Sequence, residues 1–161
     1  MPADGLEIGR LQVESMRSGF TEIVPPELMP PMDAAAQGEK YAKYAQDTDC
    51  LTFIAENSRG HITGFTCAGP NRGEEKEMDA ELYALYVHPK FFGEGIGPLL
   101  LEHLLTQVKH TSWRSLIVWF FAANALAEKC YLKTGARELN YSTPPQGYIP
   151  IPHKACGWFF D

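Results

Sequence analysis

The stretch that decides the fold is residues 81–109, ELYALYVHPKFFGEGIGPLLLEHLLTQVK. Its first part, residues 81–87, is rich in aromatic and branched side chains, which predicts a strand. His88 and Pro89 end that strand, because proline cannot donate to a β-ladder. The letters GEGIG then form a glycine turn, and leucines recur after it at helical spacing. The stretch therefore predicts a strand, a glycine turn and a helix in direct succession.

The glycine turn has the features of an anion site. Gly93, Gly95 and Gly97 stand on alternate positions, and Pro98 suits the first turn of the following helix. Backbone N–H groups converge at a helix N-terminus, and glycine allows a ligand to come close. The spacing is neither the dinucleotide GxGxxG nor a P-loop, since the third glycine comes one residue early and no Gly-Lys-Ser/Thr follows.

The longer string LYVHPKFFGEGIG, residues 85–97, closely resembles the acyl-CoA pyrophosphate loop of the GNAT superfamily, the acetyl-CoA-dependent N-acyltransferases. That loop has the form Gln/Arg-x-x-Gly-x-Gly/Ala after a strand ending in Val-x-Pro. Gly95 and Gly97 match it, whereas Phe92 stands at the Gln/Arg position. Because a backbone cradle needs no particular side chain, the resemblance still implies phosphate binding by main-chain amides.

A second string, NALAEKCYLKTGA at residues 124–136, resembles the second GNAT motif, with Cys130 and Ala136 at packing positions usually held by bulkier residues. The two motifs stand in the family's order, and the resemblance covers residues 51 to about 141. It implies the α/β GNAT fold, in which helices flank a mixed, mostly antiparallel sheet that splits between two central parallel strands. Residues 115–121, SLIVWFF, are apolar on both faces and predict the second of these strands.

The resemblance implies acetyl-CoA as cosubstrate, with its pantetheine bonded like an extra strand to freed backbone groups between the two parallel strands. It assigns the pantetheine to one strand and to the start of the second motif, and the pyrophosphate to the glycine turn. The implied binding residues are Leu85, Tyr86, Val87, Phe92, Gly93, Glu94, Gly95, Ile96, Gly97 and Asn124.

Two side chains are predicted to be catalytic. The motif places Tyr131 near the thioester sulfur, where a hydroxyl can protonate the departing thiolate; the alternative is a core aromatic. Glu81 begins the central strand, where relatives often place a carboxylate that acts directly or through water, and Asp79 shares its face by period two. An exposed strand-end acid is equally compatible with the sequence, and attack by an already neutral amine needs no base. Since no cysteine adjoins a histidine, we expect direct attack in a ternary complex.

Composition excludes several classes of protein. The chain has 161 residues, enough for one domain, and a formal net charge of −6 without a basic run, which argues against a nucleic-acid partner. The four cysteines form no CxxC pair, so no metal site is predicted and reduced thiols in a cytoplasmic protein are expected. No apolar run reaches the ~18–20 residues of a membrane span, and no signal peptide is visible.

The remainder of the chain predicts three further helices and four further strands. A helix over residues 5–18, which Asp4 could cap, leaves almost no room for the family's first strand. We therefore expect an exposed sheet edge, or a contact from another chain such as a homodimer would supply. A second helix is predicted at 33–46 after a proline-rich connection, strands at 50–56, 61–68, 137–141 and 154–160, a helix at 124–134, a solvated tip at 69–78 and a proline-rich loop at 143–152.

Several acceptor substrates are compatible with the sequence. Tyr41 and Tyr44 on the second helix, together with Trp119, Phe120 and Tyr148, either shape an acceptor pocket or pack in the core. A polyamine, an aminoglycoside, an amino acid and a peptide N-terminus all fit as the amine. The alternative to an N-acetyltransferase is a catalytically silent acyl-CoA-binding sensor or interaction module of the same fold.

Overall fold

The computed structural model describes residues 4–161, which fold around a six-stranded sheet. The helices are α1 (Gly5–Gly19), α2 (Ala34–Gln46), α3 (Ile96–Val108) and α4 (Ala125–Lys133). The strands are β1 (Leu51–Glu56), β2 (Ile62–Pro70), β3 (Ala80–Val87), β4 (Ser115–Phe121), β5 (Arg137–Leu139) and β6 (His153–Phe159). Short 3-10 turns lie at Pro26–Leu28 and Pro89–Phe91.

The strand order is β1-β2-β3-β4-β6-β5, and β3–β4 is the parallel pair. The other neighbours pair antiparallel. The mixed, mostly antiparallel sheet predicted from the sequence is therefore confirmed. Every residue of β4 is buried, as its continuous apolar run predicted for a central strand.

One side of the sheet, called the α3 face here, is covered by α3 and α4. Leu101, Leu104 and Val108 of α3 are fully buried against alternate residues of β3 and β4. At roughly 1.5–3 kcal/mol for each buried aliphatic side chain, the three contribute on the order of 5–9 kcal/mol before conformational entropy is subtracted. Gly95 is the N-cap of α3, in the left-handed conformation at φ 81°, so the helix grows directly out of the glycine turn.

The opposite side, called the α1 face, is covered by α1 and α2. These helices cross closely: a Cβ built on Gly9 would lie 1.9 Å from the Ala34 carbonyl oxygen, so glycine is required there. Tyr41 of α2 is 2% exposed and packs edge-on against Phe65 of β2, with ring centroids 4.8 Å apart. Tyr41 is thus a core aromatic.

Two local expectations need correction. Asp4 is the N-cap residue of α1, but its side chain accepts no hydrogen bond there, because its backbone lies in the helical region. The solvated tip expected at 69–78 is partly structured: β2 runs on to Pro70 and Met78 is buried at 3% exposure. Asp33, by contrast, does cap α2 by accepting from the Ala35 N–H at 2.9 Å. In the described part of the chain no strand precedes α1, and β1 forms one edge of the sheet.

Candidate active site

A wedge opens between the two parallel strands. β3 and β4 pair over three positions, of which Leu82–Val118 is the last. A register shift opposite Cys67 and Ala68 leaves Tyr83 as an extra residue in β3, and such a bulge bends a strand. Beyond it, residues 84–87 keep their antiparallel partner β2 but have none on the β4 side. Their backbone groups on that side can pair with an extended ligand. The split predicted around Leu85, Tyr86 and Val87 is present.

The glycine turn lies at the wide end of this wedge. Gly93 and Gly95 have φ of 80° and 81°, and a Cβ built on either would meet nothing within 4 Å. Among residues 4–161, no acceptor bonds the backbone N–H groups of residues 93–97. The N–H of Phe92 is already used, since it donates to the Pro89 carbonyl at 3.3 Å, and its ring is 48% exposed. Free N–H donors at a helix N-terminus in open space fit a pyrophosphate.

Tyr131 approaches the wedge from the α3 face. The side chain is 8% exposed, and its ring packs against Phe120 and Trp158 at centroid distances of 5.5 and 5.7 Å. Burial raises the pKa of Tyr131 well above its ordinary value, and the neighbouring Cys130 and Tyr86 add to this effect. The phenol therefore stays protonated at neutral pH and can donate its proton. No hydrogen bond holds the hydroxyl within residues 4–161.

Asn124 stands at the start of α4, close to the end of β4. Its Oδ1 accepts from the Ala127 N–H at 3.2 Å and so caps the helix. This side chain is partly exposed, and its amide nitrogen makes no hydrogen bond within the described chain. The amide oxygen thus has a structural role, whereas the amide nitrogen can contact a ligand.

Glu81 lies on the α1 face, at the closed end of the wedge, and is fully buried. Arg72 binds it through both carboxylate oxygens, from Nη2 to Oε1 at 2.8 Å and from Nε to Oε2 at 3.0 Å. The backbone N–H of Arg72 adds a third bond at 3.2 Å, and the Tyr148 hydroxyl donates a fourth at 2.6 Å. Asp79 is elsewhere, accepting from the Arg114 N–H at 2.6 Å. Four donors leave Glu81 little capacity to take a proton from a substrate.

Arg72 and Tyr148 extend this arrangement toward the open end. Burial lowers the pKa of Arg72, but its bonds to Glu81 raise it by more, so the guanidinium stays charged. The guanidinium carbon also lies 4.0 Å from the centroid of the Tyr83 ring. Burial and then Glu81 raise the pKa of Tyr148, which remains a neutral donor. The cluster therefore contains one ion pair, formed by Arg72 and Glu81, and the rings of Tyr83 and Tyr148 pack against it.

Trp119 is on the α1 face, one residue beyond the last parallel pair. It is 6% exposed, and its indole Nε1–H is buried without an acceptor among the described residues. An unmade buried hydrogen bond costs roughly 1–3 kcal/mol, so this donor lowers the stability of the fold. Phe120 points to the other face, against Tyr131, and is not part of this group.

Two residues that sequence reasoning missed belong to the α1 face. Arg72 reaches Glu81 from a loop, and His153, the first residue of β6, packs 5.5 Å from Tyr148. Arg72 was hidden in a loop expected to be solvated, and His153 follows a proline-rich segment without any motif. Only the pairing of β4 with β6 brings His153 beside Phe121 of β4.

A split parallel pair, a glycine-built N–H cradle and a buried tyrosine define an acyl-CoA-dependent transferase fold. Residues 13–136 match the model of the acetyltransferase (GNAT) family, and the chain belongs to that family.

Known proteins agree with this assignment. The chain is 26% identical over 118 residues to the uncharacterized N-acetyltransferase YuaI of Bacillus subtilis, a match covering 73% of this chain and 66% of that relative. It resembles yncA of Salmonella typhimurium, solved with acetyl-CoA, at TM-score 0.77 and 16% identity, covering 100% and 91% of the two chains. It also resembles the paia N-acetyltransferase of Thermoplasma acidophilum, solved with coenzyme A, at TM-score 0.75 and 16% identity, covering 99% and 94%.

Proposed function

We propose that this chain moves an acetyl group from acetyl-CoA to the primary amine of a small molecule or a peptide N-terminus, by direct attack in a ternary complex. The observation that carries the proposal is the opening of β3 from β4 after three pairs, directly before a glycine turn with free N–H groups. A site of this shape suits a thin, extended ligand that ends in phosphates.

The chain's own groups have separate binding tasks in this proposal. The backbone of Leu85, Tyr86 and Val87 would pair with the pantetheine amides, and the amide of Asn124 would bond the same arm. The free N–H groups of residues 93–97 would hold the pyrophosphate, without side-chain help from Phe92. Acetyl-CoA supplies the activated acetyl carbonyl.

Tyr131 is the proposed acid. Its raised pKa keeps the proton on the hydroxyl until the sulfur leaves, and no hydrogen bond within residues 4–161 diverts that proton. Its position on the α3 face, opposite Glu81 and Trp119, separates the leaving group from the incoming amine. This separation would let the amine approach one face of the acetyl carbonyl while the sulfur stays beside the acid.

Glu81 is proposed as a positioning residue, because its four hydrogen bonds disfavour the role of a direct base. Through Tyr148 it fixes one wall of the space in which the amine would bind.

An assay of free CoA thiol tests this proposal, with spermidine, kanamycin, L-methionine and an alanine-initiated peptide as acceptors. At least one amine should release CoA well above the acceptor-free background, and mass spectrometry should find the acetylated product.

The second candidate function is a binding-only sensor, favoured by Phe92 at the Gln/Arg position and by the saturated Glu81. Stabilisation of the fold by acetyl-CoA with background hydrolysis alone would support it and would contradict the enzyme.

A further inference from the structure

We propose that His153 is the general base of the acetyl transfer, an inference that rests on the function proposed above. His153 pairs with Phe121 in the β4–β6 ladder and therefore shares the α1 face with Phe121 and Trp119. This is the side from which the amine would attack, opposite Tyr131. It lies across β4 from the wedge, level with Phe121 and therefore beyond the last β3–β4 pair at Val118.

The tautomer of His153 is fixed by one hydrogen bond. Nδ1 lies 2.7 Å from the carbonyl oxygen of Ile151, and a carbonyl can only accept, so Nδ1 carries the proton. The lone pair of Nε2 is therefore free to accept a second proton. No described residue bonds Nε2, so no contact in the described chain competes for this lone pair.

The surroundings keep the imidazole neutral. The side chain is 7% exposed, with Phe121 and Tyr148 at centroid distances of 5.1 and 5.5 Å. Tyr148 is the titratable group that faces it, and that phenol is uncharged. On its own strand, Lys154 lies on the opposite face and pairs with Glu128 at 3.1 Å. Burial lowers the pKa of His153, the Ile151 bond opposes this in part, and no charged side chain contributes.

Each proton that moves in the transfer then has a donor and an acceptor. The amine nitrogen forms a bond to the acetyl carbon, and the bond between that carbon and sulfur breaks. The nitrogen passes one proton to Nε2 of His153, and the Tyr131 hydroxyl gives one proton to the sulfur. The imidazolium and the tyrosinate return to their starting states by exchange with water. A base of this kind contributes about 10²–10⁴-fold in rate.

Two amide substitutions separate a base from a structural histidine. The amide of His153→Asn can replace Nδ1 and keep the bond to Ile151, whereas the amide of His153→Gln occupies the place of Nε2. Neither can accept a proton. We expect both variants to lose about 100-fold or more in kcat, with the KM for acetyl-CoA within about twofold of wild type. The control is His110→Asn, an exposed residue beyond α3, which should leave kcat unchanged.

The pH profile gives a readout that a structural role would not move. Protonation of the attacking amine lowers the rate of every variant as pH falls. In the wild type, protonation of His153 should add a second acid limb below its ordinary pKa of 6.5. The two variants should lack that extra limb.

The acceptor is the fastest amine among spermidine, kanamycin, L-methionine and the alanine-initiated peptide. Wild-type activity with equal kcat and an equal acid limb in His153→Asn would overturn the assignment of the base alone. A retained kcat in His153→Asn but not in His153→Gln would show that the Ile151 bond matters and would also overturn it. A wild type that binds coenzyme A but acetylates none of the four amines would overturn the proposed function, and the base with it.

Discussion

The two sides of the wedge are built by different means. On the α3 face, one continuous stretch of chain supplies the glycine turn, the free N–H groups and the start of α3. On the α1 face, side chains from separate segments meet at Glu81: Arg72 bonds it from the loop after β2, and Tyr148 bonds it from the loop before β6. The proposed cofactor side is thus made of backbone, and the proposed acceptor side of side chains.

This difference predicts which parts of the site tolerate a change of side chain and which do not. A backbone cradle depends on chain geometry, so an unusual residue such as Phe92 can stand in it with its ring exposed. A side-chain cluster depends on each member, because a buried carboxylate without its partners is costly. We therefore expect substitutions on the α1 face to alter stability and acceptor choice, and those in the glycine turn to alter cofactor affinity.

The largest effect is expected from Arg72→Met, which leaves the fully buried Glu81 carboxylate without its cation. The free energy of unfolding should fall by about 3 kcal/mol, since removing one partner of a buried pair costs roughly 3–5 kcal/mol and Tyr148 remains as a donor. Glu81→Gln should cost only about 1–2 kcal/mol, because Arg72 is 36% exposed and can turn to water.

Urea denaturation measures both effects. Lys43→Met breaks the exposed pair with Glu39, whose side chains are 75% and 71% exposed, and serves as the control. It should cost at most about 0.5 kcal/mol. If Arg72→Met cost no more than this control, the α1 face would not be held by its ion pair.

Tyr131→Phe should lower kcat by about 100-fold while the Kd of acetyl-CoA changes less than about twofold. The hydroxyl makes no hydrogen bond in the described chain, so stability should stay within about 0.5 kcal/mol of wild type. Steady-state kinetics and calorimetry check the two parts separately. Unchanged turnover would reduce Tyr131 to a core aromatic and remove the chemical difference between the two faces.

The same contrast explains how far the sequence could be interpreted. Residues 115–121 were predicted as a central strand with the bounds that β4 has, because an uninterrupted apolar run has few alternatives. Helix α4 follows from a cap at Asn124, and α3 from the glycine turn. Arg72 and His153 could not be predicted, since lone polar residues in loops acquire their partners only through strand pairing. The Tyr131 and Glu81 roles stay predictions.

Gly95→Ala should weaken coenzyme A binding by about tenfold or more, because its Cβ would enter the open space beside the free N–H groups. Gly60→Ala is the matched control: Gly60 has φ 78° in the β1–β2 turn and also faces open space. Both variants should lose about 1–2 kcal/mol of stability from left-handed strain, whereas only Gly95→Ala should lose affinity.

Phe92→Ala belongs to the same titration and should change the Kd by less than about threefold if the cradle is backbone alone. A large loss with Phe92→Ala and none with Gly95→Ala would assign phosphate binding to a side chain.

The most direct test of the account is a thermal shift of the whole chain with acetyl-CoA, CoA and ATP side by side. At about 100 times its Kd, a ligand adds roughly 2.7 kcal/mol of stability, which is a Tm increase of about 5–11 °C for a domain of this size. We expect this increase with acetyl-CoA and CoA and none with ATP, because the wedge is proposed to bind pantetheine as well as phosphate. An equal shift with ATP, or no shift with any of the three, would contradict it.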